Sequence, residues 1–139
     1  MPLSYRIYPQ HNLVYVHCTG RVTVDETLAA FASYAAHRDC APGQAQLVDL
    51  TEVTDYERDF TRIMALQAHQ SDVFLASGSH PFLIFVAPTA LSRTMAMAAV
   101  RSWQDLGAVV PLVLSRLSEA LEVLSVKALT ADGIHESVR

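Results

Sequence analysis

The sequence predicts one α/β domain built on a single mixed sheet of five strands. The chain has 139 residues, which is about the length of one domain. Runs with the period of two that is typical of strands alternate with runs of helical period, after an initial pair of strands. The resulting order, β-β-α-β-α-β-α-β-α, favours a sheet that is parallel in its later part and packed by helices.

The first two strands are predicted at residues 3–8 and 13–18, where apolar and polar residues alternate. The short polar segment between them suits a hairpin turn. Gly20 is expected to end the second strand. Thr23 and Glu26 then form a capping box that opens the first helix. The apolar face of this helix consists of Val24, Leu28, Phe31, Ala32 and Ala35.

The third strand is predicted at residues 45–50. A second helix is expected to begin near residues 55–57, because acidic side chains favour the positive end of the helix dipole. Its predicted inner side consists of Phe60, Ile63, Met64, Gln67, Ser71 and Phe74. Gln67 and Ser71 are polar, so the apolar face of this helix is weakly defined. The fourth strand, residues 82–87, is apolar at every position, which is typical of a strand buried on both faces.

The third helix is expected to run from Thr89 to Leu106 and to stop at Gly107. The fifth strand, residues 109–114, contains Pro111. Proline has no N–H to donate, so this strand is expected at an edge of the sheet. A last short helix is predicted at residues 117–124.

Composition and charge argue against several classes of function. Hydrophobic residues make up 51% of the chain and charged residues 17%, below the roughly 25% of an ordinary globular domain. This low charge predicts an apolar patch shared with another subunit or a ligand. The net charge of −4 and the scattered basic residues argue against nucleic-acid binding. The apolar runs are too short to span a bilayer, and no signal peptide is evident, so we expect a cytoplasmic protein.

The sequence shows no recognised catalytic or metal-binding motif. Cys18 and Cys40 are expected to be free thiols, and no two histidines stand at metal-ligand spacing. The glycines do not cluster into a phosphate-binding loop, and no serine lies in a Gly-x-Ser-x-Gly elbow. We therefore expect no catalytic residue, no metal and no cofactor.

A polar group at the carboxyl ends of the strands is the first candidate site. Asp49 lies near the end of a predicted strand, Asp55 follows in the next loop, and Arg93 follows another strand. Open α/β sheets bind ligands at these ends, so the three residues would suit a small enzyme or a metabolite-binding protein. The alternative is a structural role, in which Asp49 caps a turn and Arg93 pairs with it or is solvated.

The third helix is the second candidate site. Its predicted inner face consists of Leu91, Met95, Ala98, Ser102 and Leu106. Met97 and Val100 then fall where a solvated helix should be polar, and Trp103 flanks them. Such a surface suits a protein contact or an apolar ligand, unless the helix is buried on two sides. An open outer face of the hairpin, with Tyr8, Leu13, Tyr15 and His17, would likewise favour a homodimer.

Several segments in a fixed order carry a resemblance to a known family. They are Leu13-Val14-Tyr15-Val16 through Gly20-Arg21-Val22-Thr23, Leu47 through Thr54, the strand that ends Val86-Ala87-Pro88, and Glu119 through Leu124. In this combination the chain resembles the STAS-like group, specifically the small stand-alone bacterial SpoIIAA-like proteins. The resemblance implies a STAS-like α/β domain at residues 1–126, with residues 127–139 as a weakly structured tail.

The resemblance also bears on function. The best-known members are phosphorylation-controlled antagonists that bind an anti-sigma kinase, using a serine in an Asp-Ser-Ser-Gly motif before the second helix. Here residues 53–58 read Val-Thr-Asp-Tyr-Glu-Arg, without that serine or glycine. Thr54 is either a phosphate acceptor or a turn or cap residue. We expect a non-enzymatic regulatory or interaction module that binds a protein partner or a small apolar ligand as a homodimer.

Overall fold

The computed structural model describes residues 3–41, 43–75, 81–104 and 109–124. Within these ranges one sheet contains β1 (Leu3–Tyr8), β2 (Leu13–Val22), β3 (Ala45–Tyr56), β4 (Phe82–Val86) and β5 (Val110–Leu114). The helices are α1 (Val24–Ala35), α2 (Phe60–Leu75), α3 (Ala90–Gln104) and α4 (Leu117–Val123). Strand β1 is antiparallel to β2, and the other neighbours are parallel in the order β1-β2-β3-β4-β5. The predicted mixed five-stranded α/β sheet is confirmed.

Strands β2 and β3 are longer than predicted. Gly20 does not end β2, because it takes a left-handed φ of 64° at a register irregularity and the strand continues to Val22. Such a bulge bends a strand without stopping its pairing. The extension gives β3 a partner as far as Tyr56, so this strand runs well past residue 50. Helix α2 consequently begins at Phe60 and not near residues 55–57.

The two faces of the sheet carry separate apolar cores, as alternation along the strands requires. Helices α1 and α3 pack on the face that contains Val14, Cys18, Leu50 and Phe85. Helix α4 packs on the other face, which contains Leu13, Tyr15, Leu47 and Ile84. Strand β4 is therefore buried on both faces from Leu83 to Val86, as predicted, whereas Phe82 at its start is 39% exposed. The hairpin face is not open, since Leu13 and Tyr15 are fully buried within the chain.

The helix starts and phases were predicted with mixed success. The Thr23 N-cap is confirmed, because Thr23 Oγ1 accepts a hydrogen bond from the backbone N–H of Glu26 at 3.2 Å. The Glu26 carboxylate accepts from the Thr23 hydroxyl at 2.9 Å, and this bond differs from the reciprocal backbone bond of a full capping box. The buried side of α1 is Val24, Phe31 and Tyr34, with Leu28, Ala32 and Ala35 exposed. In α3 the most buried residues are Ser92, Ala96, Val100 and Trp103, so the predicted inner face is displaced by about one residue, roughly 100°.

Several predictions fall outside the described residues. They are the end of α3 at Leu106 and Gly107, the domain boundary at residue 126 and the tail at 127–139. The same holds for the side chains of Phe60, Ser71 and Phe74. Among the helices that are described, none has the length and apolar character needed to cross a membrane.

Candidate functional site

A cavity of about 290 Å³ lies between the sheet and helices α1, α2 and α3. Val16 and Val48 face each other in register on its floor, in the middle of the sheet. Both are only half-buried, whereas their strand neighbours Tyr15 and Leu47 on the opposite face are fully buried. The centre of this sheet face is therefore apolar but not covered by a helix.

Small side chains on the helices explain why the space is not filled. Between the larger lining residues of the same helices, α1 presents Thr27 and Ala30 to the cavity, and α3 presents Ala98, Ala99 and Ser102. Helix α2 packs mainly against α1. Protein interiors are normally packed to crystal-like density, and residues of this size leave a gap that larger apolar side chains would close.

A hydrogen-bonded polar cluster forms part of the cavity wall. Tyr34 Oη donates to Gln44 Oε1 at 2.6 Å, and Gln46 Nε2 donates to Tyr34 Oη at 3.3 Å and to the carbonyl oxygen of Gln44 at 3.1 Å. Burial raises the pKa of Tyr34 above its ordinary value, so the phenol stays protonated at neutral pH. This part of the wall is therefore polar but uncharged, and its groups already have partners.

The charged residues on the wall are also paired. Arg58 Nη1 donates to Asp55 Oδ1 at 2.9 Å, and this hydrogen bond lowers the pKa of Asp55. Glu57 accepts from the backbone N–H of Val24 at 3.2 Å and from Arg62 Nη1 at 3.1 Å. A molecule that enters the cavity thus meets no uncompensated charge among the described lining residues.

Cys18 and Trp103 complete the wall near the third helix. Both cysteines of the chain are free thiols, as predicted. Burial raises the pKa of the Cys18 thiol to about 12, which leaves it protonated and unreactive at neutral pH. Within the described ranges, no cluster of three or more histidine, cysteine or acidic side chains is arranged to hold a metal ion.

Asp49 lies on the opposite face of the sheet from the cavity. Its exposed fraction is 3%. Its carboxylate accepts from Tyr15 Oη at 2.6 Å and from the N–H and hydroxyl of Thr51 at 3.0 and 2.5 Å. His17 Nε2 lies 2.6 Å from a carboxylate oxygen of Glu52 nearby. Burial and the bond to Asp49 raise the pKa of Tyr15, so this phenol remains a donor.

The three charged residues that the sequence singled out have different partners. Asp49 is bonded as described, Asp55 pairs with Arg58 and also with Arg21 at 3.4 Å, and Arg93 Nη2 donates to Ser115 Oγ at 3.1 Å. The hydrogen bonds and ion pairs named here do not join any two of the three. Each of the three therefore has its own set of partners, and a site shared by them stays a prediction.

The apolar candidate residues on α3 do not share one surface in the structure. Val100 and Trp103 lie in the core, with exposed fractions of 9% and 3%, while Met97 is 44% exposed. The reason is the phase of the helix, which turns Val100 towards β3 and β5. Thr54 is an exposed residue of β3, so it neither caps a helix nor lies in a turn.

Sequence reasoning did not identify the cavity. A cavity is a deficit of side-chain volume, and periodicity reports which residues are apolar but not whether they meet. The available signal was the run of small residues on the inner sides of α1 and α3, together with the polar Gln67 on the inner side of α2.

Comparisons with known proteins identify the fold alone. No protein-family model matches the chain, and no curated protein matches it. Among solved structures, it is similar to the anti-sigma factor antagonist SpoIIAA in its unphosphorylated form, with 10% sequence identity and a TM-score of 0.54. The match covers 89% of this chain and 98% of that one. The chain therefore has a STAS-like fold, as the sequence resemblance implied.

Proposed function

We propose that this chain, with its STAS-like fold, is a non-enzymatic regulatory module that binds a small apolar ligand between its sheet and helices α1 to α3. The observation that carries the proposal is the half-buried apolar floor, Val16 and Val48, at the centre of the sheet. The lining of an unfilled cavity lacks dispersion contacts that an apolar ligand restores. The volume of about 290 Å³ is about twice the 150 Å³ of an engineered apolar cavity that binds benzene.

A protein partner is the second part of the proposal. The similar protein SpoIIAA is described as an antagonist of an anti-sigma factor, which is a role exercised on another protein. We propose that this chain acts in the cytoplasm through contacts of the same kind, including self-association as a homodimer. The exposed Met97 on α3 supports a contact surface there, since a flexible apolar side chain packs readily against a partner.

Ligand binding is tested with n-butylbenzene as the probe. Trp103 is the only tryptophan and lines the cavity, so its fluorescence reports occupancy directly. We expect a saturable change in emission and a rise in the midpoint of thermal unfolding, because binding to the folded state stabilises it. N-acetyltryptophanamide is the control. A change no larger than that of this control, with no thermal shift, would contradict the proposal.

Self-association is tested by sedimentation equilibrium of the full chain. We expect twice the chain mass of 15.3 kDa, and a shift towards 15.3 kDa for Met97→Glu. Thr94→Glu is the matched control, because Thr94 is exposed on the same helix and receives the same charge. A wild-type monomer would contradict the homodimer, and a dimer that survives Met97→Glu would exclude this contact.

A further inference from the structure

One buried polar side chain on the cavity wall has no hydrogen-bonding partner in the described part of the chain. Gln67, in the middle of α2, lines the cavity and is only 6% exposed. Neither its amide N–H groups nor its carbonyl oxygen bonds to another described residue. The amide atoms are not among the described side-chain atoms that are both fully shielded and unpaired, so they keep some access to open space although the residue as a whole is buried. At a cavity wall, an amide without a protein partner can offer its donor and its acceptor to a molecule that enters the cavity.

Other polar groups on the wall have partners or are less buried than Gln67. The hydroxyls of Thr27 and Ser102 donate to carbonyl oxygens four residues earlier in the chain, at 2.9 and 3.1 Å. Tyr34 and Gln46 are joined to each other. Gln70, one turn further along α2, is only partly buried and keeps access to solvent. Gln67 is therefore the group that a ligand would engage.

We infer that the ligand is an uncharged amphipathic molecule whose polar head hydrogen-bonds the Gln67 amide. This inference rests on the proposed ligand-binding function. The apolar body covers Val16 and Val48, and the head is a hydroxyl, carbonyl or amide, because a glutamine side chain both donates and accepts. A carboxylate or ammonium head would be buried without a counter-charge, since Glu57 and Arg58 are already paired. The volume suits on the order of a dozen non-hydrogen atoms.

The test uses four probes that share one phenylbutyl body. They are n-butylbenzene, 4-phenyl-1-butanol, 4-phenylbutyrate and 4-phenylbutylamine, titrated into the full chain with Trp103 emission as the readout. We expect wild-type protein to bind the alcohol and to bind both ions at least about tenfold more weakly. Gln67→Leu should weaken alcohol binding roughly five- to tenfold, the typical effect of one hydrogen bond, while hydrocarbon binding is retained.

Gln70→Leu is the matched control, because it makes the same change on the same helix and the same wall. It should leave the ratio of alcohol to hydrocarbon affinity at the wild-type value. Circular dichroism confirms that each variant is folded. If Gln67→Leu also leaves that ratio unchanged, or if the carboxylate binds more tightly than the alcohol, this inference is overturned and the proposed function stands. If neither n-butylbenzene nor the alcohol binds wild-type protein, the result contradicts both this inference and the proposed ligand-binding function.

Discussion

Replacing Ala30 by leucine would fill part of the cavity from the α1 side. Ala30 lines the cavity and is half-buried, and the change exchanges a methyl group for an isobutyl group. Burial contributes roughly 0.8 kcal/mol per methylene, so the added carbons are expected to raise the free energy of unfolding by about 2 kcal/mol. The available volume of about 290 Å³ is large enough to accept them without overpacking. The same substitution should weaken n-butylbenzene binding at least about tenfold, because the side chain occupies the ligand's space.

The free energy of unfolding is measured by urea denaturation followed by circular dichroism, and binding by Trp103 emission. Ala29→Leu is the matched control, because Ala29 is exposed on the neighbouring position of α1. It should change the free energy of unfolding by no more than about 0.5 kcal/mol and leave binding intact. A loss of stability in Ala30→Leu, or ligand affinity equal to that of wild type, would refute the reasoning that an accessible, unfilled space lies beneath α1.

Further predictions concern single buried groups. Gln67→Leu should raise the free energy of unfolding of the ligand-free protein by about 1 kcal/mol in urea, because it removes an unpartnered amide, and Gln70→Leu should not; equal effects would contradict this. Tyr15→Phe removes a donor from the buried Asp49 carboxylate and should lower the free energy of unfolding by about 1–3 kcal/mol, so an unchanged thermal midpoint would be the contrary result. Burial raises the pKa of Cys18 from 9.0 to about 12, so the folded state holds this proton more tightly than the unfolded state. The free energy of unfolding of the wild-type protein should therefore fall as the pH rises from about 9 towards 12. Between about pH 8 and about pH 10.5, the free energy of unfolding of the Cys18→Ala variant should fall by less than that of wild type. Parallel curves for the two proteins would contradict this prediction.

The parts of the fold that depend on local signals were predictable. Alternation and helical period gave the element order, the Thr23 capping box gave the start of α1, and Pro111 indicated the edge strand. The lengths of β2 and β3 were not predictable in this way. They depend on a bulge at Gly20 and on pairing between residues more than thirty positions apart, neither of which has a local pattern.

The candidate site was less accessible to sequence reasoning. Arg93 was correctly placed in the first turn of a helix, whereas Asp49 lies well inside the lengthened β3 and Asp55 lies in the same strand and not in a loop. The partners of Asp49 and Arg93, such as Tyr15 and Ser115, depend on which face each side chain occupies. The predicted inner face of α3 was displaced by one residue, so Val100 was predicted on the surface although it lies in the core. The cavity is set by the sizes of opposing side chains across three helices and a sheet, which no one-dimensional pattern records.

The position of Pro111 has a consequence for assembly. The N–H of Val110 donates to the carbonyl oxygen of Pro81 at 2.9 Å, towards β4, so strand alternation turns the nitrogen of Pro111 outward. The free edge of β5, the last strand in the described residues, therefore lacks a donor near its start. A second copy of this chain is therefore poorly matched to the β5 edge, and extension of the sheet into a continuous ribbon through that edge is disfavoured.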